Sequence, residues 1–177
     1  SFAQSFREVF PSAEGSLCAY IEKKLADRKG KAIVVEFGGV GIQFSKGFTP
    51  GFVKESFGVT LVDHTGKAKL GKQQHTVLEG DIFSPETYES LNNHLSGEKV
   101  DLIIERMARG LELIPIEPYT LSKILERWYS LLREGGIMFV QTPVALHGLL
   151  TEWAKFIQKE YGDVLEVEYK EKKTKSG

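Results

Sequence analysis

Five short apolar runs, each separated from the next by loop or helical patterning, constrain this chain more than any other feature. They are Ala32-Ile-Val-Val-Glu36, Val59-Thr-Leu-Val-Asp63, Thr76-Val-Leu-Glu79, Val100-Asp-Leu-Ile-Ile104 and Ile137-Met-Phe-Val140. A strand with one wet face alternates apolar and polar residues, whereas Ala32-Ile-Val-Val-Glu36 is too apolar for that and reads as a strand covered on both faces. Helical spacing fills several of the intervals. Leu17, Tyr20, Ile21 and Leu25 mark a helix after Pro11-Ser12 that Gly30 ends. Thr49-Pro50 is a cap and first helical residue for a second, stopped at Gly58, and Ser84-Pro85 opens a third with Tyr88, Leu91 and Leu95 on one face. Leu121, Ile124, Leu125, Trp128, Leu131 and Leu132 predict a fourth, closed by Gly135-Gly136. Leu150, Trp153, Phe156, Ile157 and Tyr161 predict a last one, stopped by Gly162, and Val164–Tyr169 alternates like a strand with one exposed face. Alternating strands and helices predict an α/β fold with a mostly parallel central sheet and helices on both faces.

The bulk numbers narrow the function classes. A length of 177 residues suits one domain with a real core, and 41% hydrophobic with 27% charged residues is ordinary for a globular protein. A net charge of −1 supplies no global positive field for nucleic acid, so nucleic acid is a disfavoured partner. Cys18 is the one cysteine, which rules out an internal disulfide, and its apolar neighbours predict a buried thiol. No apolar run is long enough to span a bilayer and no signal-peptide pattern opens the chain, so the cytoplasm is the expected compartment. The chain starts Ser1-Phe2 and ends on a polar tail, Lys170 to Gly177, as expected of a domain from a longer polypeptide.

In parallel sheets ligands bind beyond the carboxyl ends of the strands. Four features fall there. Glu36 precedes a turn with Gly38, Gly39 and Gly41, where the missing Cβ atoms allow close approach. Asp63 ends the second run, roughly 22 residues after the glycine turn, where a carboxylate can accept both ribose hydroxyls. Gly80-Asp81 follows the third, with Asp81 able to accept from an exocyclic amine and Ile82 to pack on a base. Leu132-Arg-Glu-Gly-Gly136 leads into the fifth. Each feature alone also serves as an ordinary turn.

In this order the features resemble the class I S-adenosylmethionine-dependent methyltransferases, from about Ala32 to Thr142. Val34-Val-Glu-Phe-Gly-Gly-Val-Gly41 is similar to the family's first motif, Val59–Asp63 to its second and Val77-Leu-Glu-Gly-Asp-Ile-Phe83 to its third. Val100-Asp-Leu-Ile-Ile-Glu105 is similar to its fourth strand, and Leu131–Val140 to its fifth-strand entry. The stretch from Ser12 to Lys29 matches the helix that precedes the first strand. The resemblance implies a Rossmann-like three-layer sandwich and S-adenosylmethionine as cofactor. It places Glu36 near the methionine part, Gly38, Gly39 and Gly41 along the cofactor, Asp63 on the ribose, Asp81 on the adenine amine and Ile82 by the ring, with Glu105 after the fourth strand also in the cofactor site.

The chain departs from the family in several places, among them His64 where an apolar residue often follows the ribose acid and one candidate strand, not two, after the fifth. Its glycines stand one step closer than in acid-x-Gly-x-Gly-x-Gly, and residues 42–48 do not read as the helix that usually leaves the turn. The loop Glu105-Arg-Met-Ala-Arg109 lacks the Asn/Asp-Pro-Pro-aromatic signature of amino-methylating nucleic-acid enzymes. Transfer from a sulfonium needs alignment more than acid–base groups, and alignment supplies about 7–11 kcal/mol. No catalytic residue is therefore compelled; Glu105, Arg106, Arg109, Tyr119 and His147 are candidates by position. No histidine spacing suggests a metal. The expected acceptor is a small molecule or protein, no membrane contact is expected, and other domains of a longer polypeptide are expected neighbours. Two further readings stay open: a methyltransferase-like domain without catalysis serving as a binding or scaffold module, and a nicotinamide-dependent enzyme.

Overall fold

The computed structural model describes residues 16–62, 74–105, 118–140, 147–164 and 166–168. Its centre is a five-stranded sheet of β1 (Ala32–Phe37), β2 (Val53–Thr60), β3 (Gln74–Glu79), β4 (Val100–Glu105) and β5 (Leu132–Val140), in the order β3-β2-β1-β4-β5. Every pairing is parallel. From β1 the chain builds outward to β2 and β3, then crosses back to lay β4 on the other side of β1. This reversal makes the β1–β4 crevice the topological switch point. All residues of β1 and β4 are buried, Glu36, Asp101 and Glu105 included.

Residues of one parity face one core. Ile33, Val35, Phe37, Phe57, Val59 and Ile103 pack on α3 (Pro85–Leu95) through Tyr88, Leu91 and Leu95, and on α4 (Pro118–Leu131) through Ile124, Leu125, Trp128 and Leu131. The opposite parity, Ala32, Val34, Leu102 and Ile104, packs on α1 (Leu17–Lys24) through Leu17, Cys18 and Ile21, with Phe48 and Phe52 filling beside them. Between β1 and β2 lies a single helical turn, α2 (Ile42–Ser45). The last helix among the described residues is α5 (His147–Tyr161). Helices on both faces of a parallel sheet match the architecture expected from the sequence.

Helix boundaries follow local chemistry. Ser16 is extended and its side chain accepts from the Ala19 N–H, so α1 starts at Leu17; residues 12–15 of the expected stretch lie outside the described residues. It stops at Lys24 and a 3-10 turn, Ala26–Arg28, follows before Gly30. Ser84 is the extended residue before Pro85 of α3, and left-handed Ser96 and Gly97 (φ 50° and 84°) end that helix.

Three expectations are corrected. The segment from Thr49 to Gly58 is not a helix: β2 begins at Val53 and runs through Gly58 to Thr60. Thr49 spends its polar groups on Glu22, which accepts from its N–H at 2.5 Å and its hydroxyl at 2.8 Å, instead of capping a helix. Leu61 and Val62 then lie beyond the strand. Gly135-Gly136 does not close α4; it lies inside β5, where the register slips between the Val100–Leu132 and Leu102–Ile137 pairs. The extra residues bulge because Arg133 turns back to bind the fully buried Asp101 carboxylate. Finally, 166–168 form no strand, and the Val167 N–H donates to the Gln158 side chain of α5 instead.

Candidate ligand-binding crevice

The strand ends are level. Thr60 pairs with Glu79, Val59 with Phe37, and Phe37 with Glu105. At the usual strand spacing the carboxyl ends of β3, β2, β1 and β4 thus form a ledge about 14 Å long. Glu36 and Glu105 stand at the switch point on that ledge, only 2% and 3% exposed. Pleating sends Glu36 to the face shared with Val34 and Ile104, and Glu105 to the face shared with Ile103 and Phe37. One buried carboxyl group therefore flanks the crevice on each side of the sheet.

The glycine turn is shaped by the protein's own packing. Gly38 and Gly41 are left-handed (φ 79° and 72°), and the Gly38 N–H donates to the Val59 carbonyl at 2.9 Å. A Cβ on Gly39 would overlap the Glu36 carboxyl, so the glycine makes room for that side chain beneath the turn. A Cβ on Gly58 would overlap the Val40 backbone, which means that the turn lies flat across β2. His75 on β3 fastens it. Its Nε2 is 2.8 Å from the Val40 carbonyl and its Nδ1 is 2.7 Å from Ser56 Oγ on β2. The carbonyl can only accept, so Nε2 carries the proton. Neither His75 nor Ser56 stood out in the sequence, because only the β2–β3 register, which pairs them, reveals the contact.

Beyond β3 the chain makes a second tight turn. Asp81 is exposed, and its Oδ1 accepts from the Phe83 N–H at 2.9 Å while its carbonyl accepts from the Ser84 N–H at 2.9 Å. The turn-forming role is thus real, and it engages one carboxylate oxygen of an exposed residue. Ile82 is half-buried against the α3–α4 core. Three successive carbonyls are held by side chains: Asp81 accepts from Thr87 Oγ1 (2.6 Å), Ile82 from Tyr88 Oη (2.7 Å) and Phe83 from Arg127 Nη1 (3.1 Å). Burial pushes the Tyr88 hydroxyl up to about 12, against the opposing hydrogen bond from Trp128.

Glu36, Gly38, Gly39, Gly41 and Glu105 therefore meet at one crevice, with Asp81 and Ile82 at the end of the same ledge. Asp63, Arg106 and Arg109 lie outside the described residues. Since β2 ends at Thr60, Asp63 is not the last residue of that strand, as the sequence had implied. Tyr119 and His147 fall in the first turns of α4 and α5. Among the described residues no three His, Cys, Asp or Glu side chains cluster as a metal site, and no helix is long and apolar enough to cross a membrane.

An all-parallel sheet ordered 3-2-1-4-5, with helices on both faces, settles the architecture. The fold is Rossmann-like. Among solved structures the chain is similar to MycE, a methyltransferase from the mycinamycin biosynthetic pathway in complex with Mg and SAH. The TM-score is 0.54 at 16% identity, over 85% of this chain and 38% of that one. It is also similar to a trans-2-enoyl-CoA reductase of Clostridium acetobutulicum in complex with NAD, with TM-score 0.48 and 14% identity over 89% of this chain and 64% of that one. The chain thus spans under two fifths of the length of MycE. No family model and no curated protein sequence matches it.

Proposed function

We propose that the switch-point crevice binds S-adenosylmethionine and that the chain is the cofactor-binding part of a methyltransferase. The observation that carries this reading is the pair of buried carboxyl side chains, Glu36 and Glu105, flanking the crevice. S-adenosylmethionine brings a sulfonium and an ammonium, which carboxylates attract, whereas a dinucleotide brings an anionic pyrophosphate, which they repel. The segment after the glycine turn departs from the methyltransferases as well, so it counts only against a pyrophosphate ligand. A dinucleotide fold seats its pyrophosphate on the N-terminus of a long helix, where free N–H groups and the helix dipole converge. Here the turn is followed by four helical residues, Ile42–Ser45, too few to build such a dipole.

The residues present fit the proposed cofactor. The turn between Gly38 and Gly41 covers the Glu36 carboxyl, and Asp81 offers its second oxygen to an exocyclic amine at the β3 end of the ledge. Asp63, three residues beyond β2, is the proposed ribose ligand. Bound there, the cofactor supplies an activated methyl group, and the chain's part is to hold and align it. The acceptor is a small molecule or protein recognised outside the described residues.

Calorimetric titration of the intact protein with S-adenosylmethionine and, separately, with NAD tests the reading. Micromolar or tighter binding of S-adenosylmethionine, with NAD at least tenfold weaker, is the expected result. No binding of S-adenosylmethionine, or tighter binding of NAD, overturns it. Binding without turnover over a broad acceptor panel assigns the chain to the non-catalytic module instead.

A further inference from the structure

The turn after β3 is anchored more heavily than its length requires. Thr87, Tyr88 and Arg127 each donate to one of three consecutive carbonyls, those of Asp81, Ile82 and Phe83. The first two donors come from α3 and the third from α4. The Arg127 guanidinium also lies 5.2 Å from the Tyr88 ring centroid, so it holds both the carbonyl of Phe83 and the side chain that holds Ile82. Tyr88 Oη in turn accepts from Trp128 Nε1 at 3.1 Å, and Trp128 stacks on Phe37 at the end of β1, with 5.1 Å between centroids and 17° between planes. A continuous set of contacts therefore joins the end of β1 to the turn that carries Asp81.

We propose that Arg127 is a positioning residue for nucleobase recognition: through the Phe83 carbonyl and the Tyr88 ring it fixes the turn so that Asp81 presents one oxygen to the exocyclic amine of adenine. This rests on the cofactor reading above. The Asp81 rotamer is set by the turn, because Oδ1 is already taken by the Phe83 N–H. If the turn loosens, Oδ1 and Oδ2 exchange roles and the amine loses a fixed acceptor. Arg127 is only partly buried, at the edge of a groove of about 260 Å³ shared with Pro85, Glu89, Asn92 and Ser130. It can be replaced without opening the core.

The test compares wild type, Arg127→Met and Arg127→Lys by titration with S-adenosylhomocysteine and its inosine analogue, S-inosylhomocysteine, which carries an oxygen in place of the amine. Wild type is expected to prefer the adenosine compound by about tenfold or more, the value of a charge-assisted hydrogen bond. Arg127→Met should lose most of that preference, and Arg127→Lys, which keeps a donor, should recover part of it. A role in stability alone would weaken both ligands equally and leave their ratio unchanged, which overturns the proposal. Amide hydrogen exchange of the ligand-free protein gives an independent readout: the Phe83 and Ser84 amides should lose protection in Arg127→Met, and unchanged protection also overturns it. A wild type that binds neither compound overturns the cofactor reading, and exchange alone then judges whether Arg127 holds the turn.

Discussion

Gly39 and Glu36 share one volume. The carboxyl of Glu36 lies where a side chain on residue 39 would begin, so their substitutions are expected to couple. Gly39→Ala should cost about 1–3 kcal/mol by overpacking, and less in a Glu36→Ala background, where the space has been vacated. Urea denaturation of the four proteins in this cycle checks it; equal costs in both backgrounds would show that the overlap does not govern the turn. Cys18 makes a pH-dependent case. Burial, with the nearby Glu22 charge adding to it, pushes the thiol from 9.0 up to about 11. A group whose folded-state pKa is raised contributes stability that is intact below its unfolded value and lost as pH rises through the folded one. The melting temperature should therefore decline from about pH 9 upward, and Cys18→Ala should remove the part between 9 and 11 that the thiol causes, while leaving the Tyr88 contribution, which runs from 10 up to about 12. A variant with an unchanged profile would assign the decline elsewhere.

At the scale of elements, Asp101 determines how three of them meet. It is fully buried at the start of β4, accepts from the Ile33 N–H of β1 at 2.8 Å, and pairs with Arg28 at 2.7 Å and with Arg133. Asp101→Ala strands the Ile33 donor and removes the charge that holds the β5 bulge, so it should destabilise by about 3 kcal/mol in chemical denaturation. A loss below about 1 kcal/mol would mean that the bulge stands on its glycines alone. The same residue shows where sequence reading stopped. The strands β1 and β4 were legible because burial on two faces leaves short runs rich in Val, Ile and Leu, and α3 because Ser84-Pro85 and the Tyr88, Leu91, Leu95 spacing agree. Gly135-Gly136 misled, since a helix stop and a bulge use the same left-handed glycine; only the partner Arg133–Asp101, 32 residues apart, separates them. Thr49-Pro50 misled for a similar reason: a cap needs its hydroxyl, and Glu22 takes it from outside the segment. The candidate site was legible where it depends on strand ends, at Glu36, Glu105 and Asp81. The contacts of His75 and Arg127 were not, because they cross between elements and leave no local pattern.

For the whole molecule, the sheet order places four strand ends on one ledge and two buried carboxyl groups at its switch point. Likeness of fold alone leaves the ligand to be decided by that local charge. Neutralising the charge should move the preference: Glu36→Gln is expected to weaken S-adenosylmethionine about tenfold while leaving NAD unchanged or slightly improved, measured by competitive titration. Equal effects on both ligands would remove the electrostatic basis of the proposal. The most direct measurement is a crystal structure of the protein grown with S-adenosylmethionine. The account predicts adenosine density along the carboxyl ends of β3 to β1, with the base beside Asp81 and the sulfur near Glu36. Density elsewhere, or a crevice that stays empty at millimolar cofactor, would contradict it.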